Sequence, residues 1–233
     1  MSLGNLFVAA TPIGNLEDIS LRALRILREA DYVLCEDTRT TRQLLQKYGI
    51  KTASISYHQH SGLGKIDQLI RYLDEGKNLV LVSDAGTPGI SDPGSLLVAA
   101  ARQAYGEELK VIPLPGASAV IAALSVSGWP ADRFTFFGFL PHKKGRQTMI
   151  KEVLRSPYPA VFYESKHRLI KCLSELDLFS QELNFKIEVM LGRELTKMFE
   201  SFYFGQPADL VARLAEDLDM QKGEFVVLVR KLK

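Results

Sequence analysis

The first half of the chain alternates short apolar runs with amphipathic stretches. Most of these runs lack polar alternation, which is typical of strands buried on both faces of a sheet. Helical patterns lie between them, and Ser20 and Thr38 stand where helix caps are expected. This alternation predicts a mostly parallel sheet with helices on both faces, which binds ligands at the carboxyl ends of its strands. The predicted strands are LFVAA, YVLC, ASISY, LVLVS and LKVIPL, beginning at residues 6, 32, 53, 79 and 109.

The pattern changes after Trp129. Strand-like segments now follow one another with fewer helices between them, which predicts a second lobe built on a mixed sheet. We therefore expect an α/β protein with two lobes, residues 1–117 and 118–233. The strand-like segments are FTFFGF, AVFYES, FKIEVMLGRE, FESFYFG and EFVVLVRKL.

The composition is that of a globular protein, with 233 residues, 46% of them hydrophobic and 24% charged. No run approaches the roughly 18 apolar residues of a membrane helix, and no charged segment followed by an apolar stretch, the pattern expected of a signal peptide, stands at the start of the sequence. We therefore predict a cytoplasmic protein without a membrane partner. Cys35 and Cys172 are too few for a disulfide framework. His58 and His60 share one face of a strand but lack a neighbouring carboxylate or thiol cluster, so we predict no metal site.

The net charge of +2 hides an uneven distribution. Residues 142–171 contain eight Lys and Arg side chains, opposed only by Glu152 and Glu164. Such a segment is either a solvated helix face or a surface for a phosphate-rich partner such as nucleic acid.

Three loops rich in small and polar residues follow predicted strands. The loop at 83–94, SDAGTPGISDPG, combines three Gly, two Pro and two Asp. A rigid loop shaped around a ligand explains that composition best. The loops at 11–18 and 115–119 have a similar texture, although the first could be a simple turn. Neither a Walker loop nor GxGxxG is present, which argues against ATP hydrolysis and ordinary dinucleotide binding.

Charged side chains crowd three further turns. Glu36 and Asp37 stand beside Arg39 directly after the second strand, and they form either a helix cap or a cluster that faces a substrate. The segments at 163–168 and 192–197 are equally charge-dense, and solvated loops are an alternative for both.

Seven segments in chain order resemble motifs of the tetrapyrrole methylase family. The resemblance is closest to its branch that methylates a cytidine 2'-hydroxyl in 16S ribosomal RNA with S-adenosylmethionine. It implies two α/β lobes with the cofactor in the cleft between them, and a homodimer. The segments are LFVAATPIGNLEDISLRAL, EDTRTTRQLL, SDAGTPGISDPG, PLPGASAVIAAL, FTFFGFLPHKKGRQ, FYESKHRL and GRELTKMFE.

The resemblance also implies roles for individual residues. Glu36, Asp37 and Arg39 are the expected catalytic residues. The general base is left open among Glu36, Asp37, His58 and Glu194, and Arg39 is expected to position a phosphate. The expected cofactor contacts are Pro12, Gly14, Asp84, Ala85, Gly86, Thr87, Ser118 and Ala119, with Tyr163, Leu191 and Gly223 from the second lobe. The expected RNA contacts are His58, Lys143, Lys144, Arg146, Arg193 and Lys197.

Two other functions compete with this one. A C-methyltransferase acting on a tetrapyrrole would also attract Lys and Arg, because the macrocycle carries many carboxylates. The segments ATPIGNLED and EDTRTTRQLL favour the RNA branch. A non-catalytic RNA-binding assembly module on the same scaffold is the second alternative. Three intact polar loops argue against it, since a module without a cofactor has no use for them.

Overall fold

The computed structural model describes residues 2–58, 61–92 and 94–232. The chain divides into two compact units, Met1–Ser118 and Ala119–Lys233. Among the helices in the part of the chain that the structure describes, none combines the length and apolarity that crossing a membrane requires.

The first unit contains a five-stranded sheet with the strand order β3-β2-β4-β1-β5, in which all neighbours are parallel. The parallel sheet expected from the sequence is thus confirmed. Its strands are β1 (Leu6–Ala9), β2 (Tyr32–Cys35), β3 (Ala53–Ser56), β4 (Leu79–Val82) and β5 (Val111–Leu114). Its helices are α1 (Leu21–Glu29), α2 (Thr38–Lys47), α3 (Leu63–Asp74) and α4 (Gly94–Tyr105), with a short 3-10 helix at Leu16–Asp18.

Alternate residues of each central strand point to opposite faces of this sheet. In β4, Val80 and Val82 pack with α1 and α2, whereas Leu79 and Leu81 pack with α3 and α4. The neighbours β1 and β4 therefore lead into helices on opposite faces, which is the position where open α/β sheets bind ligands. The outer strands β3 and β5 are only partly buried, so burial on both faces was wrongly predicted for them.

Helix starts agree with one predicted cap and correct the other. Ser20 caps α1, because its hydroxyl accepts the Ala23 N–H at 3.1 Å. Thr38 was predicted to cap α2 but is its first helical residue. Asp37 has the extended backbone of a cap, and its carboxylate accepts the Arg39 N–H at 2.8 Å.

The second unit contains a mixed sheet, as predicted, with the strand order β6-β7-β10-β8-β9. Among the strands of the described residues in this sheet, only β6 and β7 are parallel neighbours. The strands are β6 (Thr135–Phe139), β7 (Ala160–Ser165), β8 (Ile187–Arg193), β9 (Ser201–Gly205) and β10 (Glu224–Lys231). The helices are α5 (Ala119–Val126), α6 (Arg146–Arg155), α7 (Leu169–Glu182) and α8 (Pro207–Glu216), with a 3-10 helix at Leu218–Gln221. One face packs in a core with α6, α7 and α8 through residues such as Phe162 and Val227.

Candidate active site

The loops after β1 and β4 are joined by hydrogen bonds at the carboxyl edge of the first sheet. Thr11 and Gly86 exchange two backbone hydrogen bonds, with N–O distances of 2.9 and 3.0 Å. The buried Thr11 hydroxyl donates to the Ser83 carbonyl at 3.0 Å, and the Ser83 hydroxyl donates to the Gly86 carbonyl at 2.9 Å. These bonds hold the two loops in one fixed arrangement.

The loop after β5 meets the other two at Gly86. A Cβ atom on Gly86 would lie 3.5 Å from the Ile13 side chain and 3.7 Å from the Ala117 carbonyl. Thr87 strengthens this junction by donating its hydroxyl to the same carbonyl at 3.3 Å. Gly86 also has a φ of +82°, a conformation that other residues rarely adopt. The three loops singled out from the sequence therefore converge around one glycine.

Asp92 makes the 83–94 loop compact, a role that the sequence did not assign to it. One carboxylate oxygen, Oδ1, accepts the N–H groups of Gly89 at 2.6 Å and of Gly94 at 2.8 Å. An Asp between two glycines in a loop rich in Gly, Pro and Ser is a signal for such a turn.

Most predicted cofactor residues of the first unit lie on these three loops. Pro12 and Gly86 are buried, and Thr87 and Ser118 are half-buried. The exposed positions among them are Gly14, Asp84 and Ala85. The arrangement offers backbone groups and small side chains to a ligand at one edge of the sheet. Ala119 begins α5 and belongs to the second unit.

Asp37 is held as a helix cap and as the partner of Arg39. Its two carboxylate oxygens lie 3.1 and 2.7 Å from Nε and Nη2 of Arg39, a bidentate geometry. The hydrogen bonds from the Arg39 side chain and backbone lower the pKa of Asp37 to about 2. The backbone N–H of Asp37 also donates to Asp84 Oδ1 at 3.1 Å, which ties this turn to the 83–94 loop.

Glu36 lies in the opposite electrostatic environment. Desolvation raises the pKa of its half-buried carboxyl group above the ordinary value of 4.5, and the negative charges of Asp84 and Asp92 raise it further. Burial therefore raises the pKa of Glu36, whereas the Arg39 cation lowers the pKa of Asp37. Of the two carboxyl groups, Glu36 therefore accepts a proton more readily than Asp37.

His58 follows β3 at the same edge of the sheet. Its side chain is exposed, and its backbone N–H donates to the Ser61 hydroxyl at 2.9 Å. His60 lies outside the described residues. Within the ranges that the structure describes, no group of three or more His, Cys, Asp or Glu side chains is arranged to hold a metal ion.

The predicted RNA contact at Arg146 is wrong. Its side chain is only 4% exposed and pairs with Glu164 at 3.3 Å and Glu175 at 2.7 Å. A guanidinium committed to two carboxylates inside the second unit has no surface to offer a phosphate. Lys143 and Lys144, three and two residues earlier, are exposed as expected.

The turn after β8 uses its charged residues internally. Arg193 donates to the carbonyls of Lys222 at 2.6 Å, Asp219 at 2.8 Å and Phe199 at 3.2 Å, so it holds this turn together and the phosphate role predicted for it is corrected. Lys197 is likewise paired, with carboxylates 3.2 and 2.9 Å away.

Glu194 is one of those two partners of Lys197. Burial raises the pKa of its carboxyl group, but hydrogen bonds from the Glu224 N–H and from Lys197 outweigh burial and leave the pKa below its ordinary value. This environment makes Glu194 a weaker candidate base than Glu36.

Two predicted cofactor residues lie on the second sheet. Tyr163 packs against Phe136 and Phe139, with ring centroids 5.1 Å apart in both pairs, and burial raises its pKa. Leu191 is fully buried in the core formed with α6, α7 and α8. Its side chain therefore has no surface to offer a ligand.

The sequence model of the family described as Tetrapyrrole (Corrin/Porphyrin) Methylases matches residues 5–211. A Pseudomonas aeruginosa protein named Ribosomal RNA small subunit methyltransferase I is 47% identical over 231 residues, covering 98% of this chain and 79% of that protein. The protein of the same name from Xylella fastidiosa is 46% identical over 228 residues, covering 97% and 81%.

A solved structure with the same fold is also similar. It is uroporphyrin-III C-methyl transferase from Thermus thermophilus complexed with S-adenyl homocysteine. It aligns with a TM-score of 0.64 at 18% identity and covers 97% of each chain. At that identity the match bears on the fold alone.

Proposed function

The chain belongs to the tetrapyrrole methylase family, and we propose that it methylates the ribose 2'-hydroxyl of a cytidine in 16S ribosomal RNA with S-adenosylmethionine. The observation that carries this proposal is the identity of 46–47% to relatives named as small-subunit ribosomal RNA methyltransferases, over nearly the whole chain. The tetrapyrrole substrate and the non-catalytic module lack support of comparable strength.

The three loops around Gly86 fit a cofactor that lies against the backbone. Gly86 has the left-handed conformation that favours glycine, and a Cβ on Gly116 would lie only 2.9 Å from the Ala10 Cβ. When bound, S-adenosylmethionine supplies an electrophilic methyl group on a sulfonium. The residues that would hold it are Pro12, Gly14, Asp84, Ala85, Gly86, Thr87 and Ser118.

Glu36 is the proposed general base. A ribose hydroxyl becomes a good nucleophile when a base takes its proton as the new O–C bond forms. Glu36 stands directly after β2, at the same edge as the three loops, and its raised pKa suits proton removal near neutral pH better than the pKa of about 2 at Asp37. His58 stays the alternative at this edge.

Phosphate contacts would come from exposed lysines of the second unit. Lys143 and Lys144 stand in a loop before α6 with exposed side chains. Contacts of this kind release counterions, so RNA affinity should fall steeply with salt. The further expectations of a homodimer and a cytoplasmic enzyme belong to the proposal. Light scattering on the purified chain tests the first, and fractionation of cells tests the second.

The decisive experiment offers the purified protein tritiated S-adenosylmethionine with small ribosomal subunits, or with a tetrapyrrole precursor. We expect label on the 16S RNA, retained in a dinucleotide that survives alkaline hydrolysis, because a methylated 2'-oxygen cannot attack the neighbouring phosphate. Label on the tetrapyrrole would replace the proposed function with its first alternative. RNA binding without any transfer would favour the non-catalytic module.

A further inference from the structure

A buried carboxylate joins two basic loops of the second unit. Glu164, near the end of β7, has a fully buried side chain. It lies 3.3 Å from Nη1 of Arg146 and 2.7 Å from Nε of Arg168. Glu175 from α7 completes the cluster at 2.7 Å from Nε of Arg146. Two carboxylates and two guanidinium groups thus balance one another around the buried Glu164, and loss of one partner would leave an uncompensated charge.

The same two arginines hold the backbone of the preceding loop. Nη1 of Arg168 donates to the Leu140 carbonyl at 2.9 Å, and Nη1 of Arg146 donates to the Pro141 carbonyl at 3.3 Å. The loop at 141–145 is therefore attached through these arginines to Glu164. The turn at 165–168 is attached directly, because it follows Glu164 in the chain and contains Arg168.

These two loops carry unopposed positive charge. Lys143 and Lys144 are exposed on the first loop, and Lys166 is exposed on the second. Across residues 2–58, 61–92 and 94–232, no carboxylate lies within ion-pair distance of these three lysines. Three free ammonium groups on two clamped loops match the repeated charge of a nucleic-acid backbone.

We propose that Glu164 is a positioning residue that fixes the loops 141–145 and 165–168 into one RNA phosphate-binding surface, to which Lys166 belongs with Lys143 and Lys144. This inference rests on the proposed RNA substrate. Without Glu164 the two arginines lose their common partner, and the loops sample other arrangements that RNA binding must reorder. The affinity for RNA falls while the cofactor loops of the first unit keep their geometry.

The test measures binding of 16S RNA by Glu164→Gln, which keeps the shape of the side chain and removes its charge. We expect RNA affinity to fall about tenfold, a coupling typical of one ion network, with parental affinity for S-adenosylmethionine by calorimetry. Glu188→Gln is the matched control, because it removes the carboxylate that pairs with Arg230 on the same sheet. That variant should bind RNA like the parent.

A double-mutant cycle separates positioning from general stability. Lys166→Gln should lower the parent's RNA affinity and reduce its salt slope by about 1. In the Glu164→Gln background, Lys166→Gln should lower RNA affinity by a clearly smaller factor, because the lysine is no longer held in place. Equal costs in both backgrounds would overturn the positioning role.

If Glu164→Gln does not fold, Arg168→Lys is measured in its place. A single amine keeps the charge but cannot reach both Glu164 and the Leu140 carbonyl, so the same loss of RNA affinity is expected. If the folded variants bind RNA as tightly as the parent, and the parent methylates small subunits, this inference is refuted and the proposed function stands. A parent that neither binds nor methylates RNA refutes both.

Discussion

Exchanging each carboxylate of the acidic pair for its amide should separate a base from a helix cap. In Glu36→Gln the group whose pKa is raised by burial is removed, together with its capacity to accept a proton. In Asp37→Asn the cap of α2 is preserved, because Asn is as good a cap as Asp. We therefore expect Glu36→Gln to lose methyl transfer and Asp37→Asn to retain it within a few fold.

The magnitude follows from the two environments. The pKa of Asp37 is about 2, and that of Glu36 lies above 4.5. Glu36 therefore holds a proton more than about a hundredfold more tightly. A positioned general base contributes roughly 10²- to 10⁴-fold in rate, or about 3 to 5 kcal/mol of activation free energy. Loss of Glu36 should therefore lower kcat by at least about 10²-fold.

The stability of the same variant has a predictable sign. A carboxyl group whose pKa is raised on folding binds its proton more tightly in the folded state. Stability is therefore lost as pH rises from the unfolded value of 4.5 through the folded pKa of Glu36. Glu36→Gln removes this loss, so at pH 7 its melting temperature should equal or exceed that of the parent. A drop in turnover with no drop in stability distinguishes chemistry from misfolding.

The assay follows kcat/KM for small ribosomal subunits from about pH 4.5, the ordinary pKa of the group, to about pH 8, with cofactor affinity measured in parallel. The parent should show a rising limb governed by Glu36, and this limb should vanish in Glu36→Gln. Parental turnover in that variant, or a larger loss in Asp37→Asn, would refute the assignment and make His58 the better candidate.

Three further changes test the first sheet edge and the turn after β8. Gly116→Ala places a Cβ 2.9 Å from the Ala10 Cβ, so it should lower the free energy of unfolding by about 1 to 3 kcal/mol and weaken cofactor binding. Gly64→Ala is the control, because its Cβ meets nothing within 4 Å, and it should change neither the melting temperature nor the cofactor affinity measured by calorimetry. Thr11→Val removes a buried hydroxyl donor and should destabilise by about 1 to 3 kcal/mol in denaturant titration, and Thr11→Ser should restore most of it. Arg193→Gln leaves three backbone carbonyls without their donor and should lower stability by about 1 to 3 kcal/mol. The salt dependence of RNA affinity should not change, and a weaker salt dependence would restore Arg193 as a phosphate contact.

Local patterns predicted the sheets because their strands are short and apolar. The strand at 32–35 agrees with the sequence prediction to the residue. The prediction of burial on both faces failed for β3 and β5, because the order of strands in a sheet is set by pairing between distant segments. A strand's own residues do not tell whether it lies at the edge of the sheet.

Charged residues were harder to place than strands. Asp37 and Thr38 are both good cap residues, and only the extended backbone at Asp37 decides between them. Arg146 was counted as a surface cation because its partners Glu164 and Glu175 lie 18 and 29 residues away. The period of two in β7 holds a usable signal, because Glu164 continues the inward-facing series of Ala160 and Phe162.

The charge available for RNA is smaller than the sequence count implies. Four of the eight basic residues at 142–171 are paired with carboxylates: Arg146, Lys151, Arg168 and Lys171. Each phosphate contact adds roughly 0.7 to 0.9 to the slope of log affinity against log salt, so eight contacts would give about 6 to 7. Of the four that are not paired, Arg155 ends α6, whereas Lys143, Lys144 and Lys166 lie on the two loops and account for only about 2 to 3. The pairs that Arg146 and Arg168 form with Glu164 lower the charge available for phosphates, and under our proposal they also fix the loops that carry these three lysines. A loss of slope well above 3 on replacing these three lysines by Gln would mean that the paired arginines reach the RNA after all.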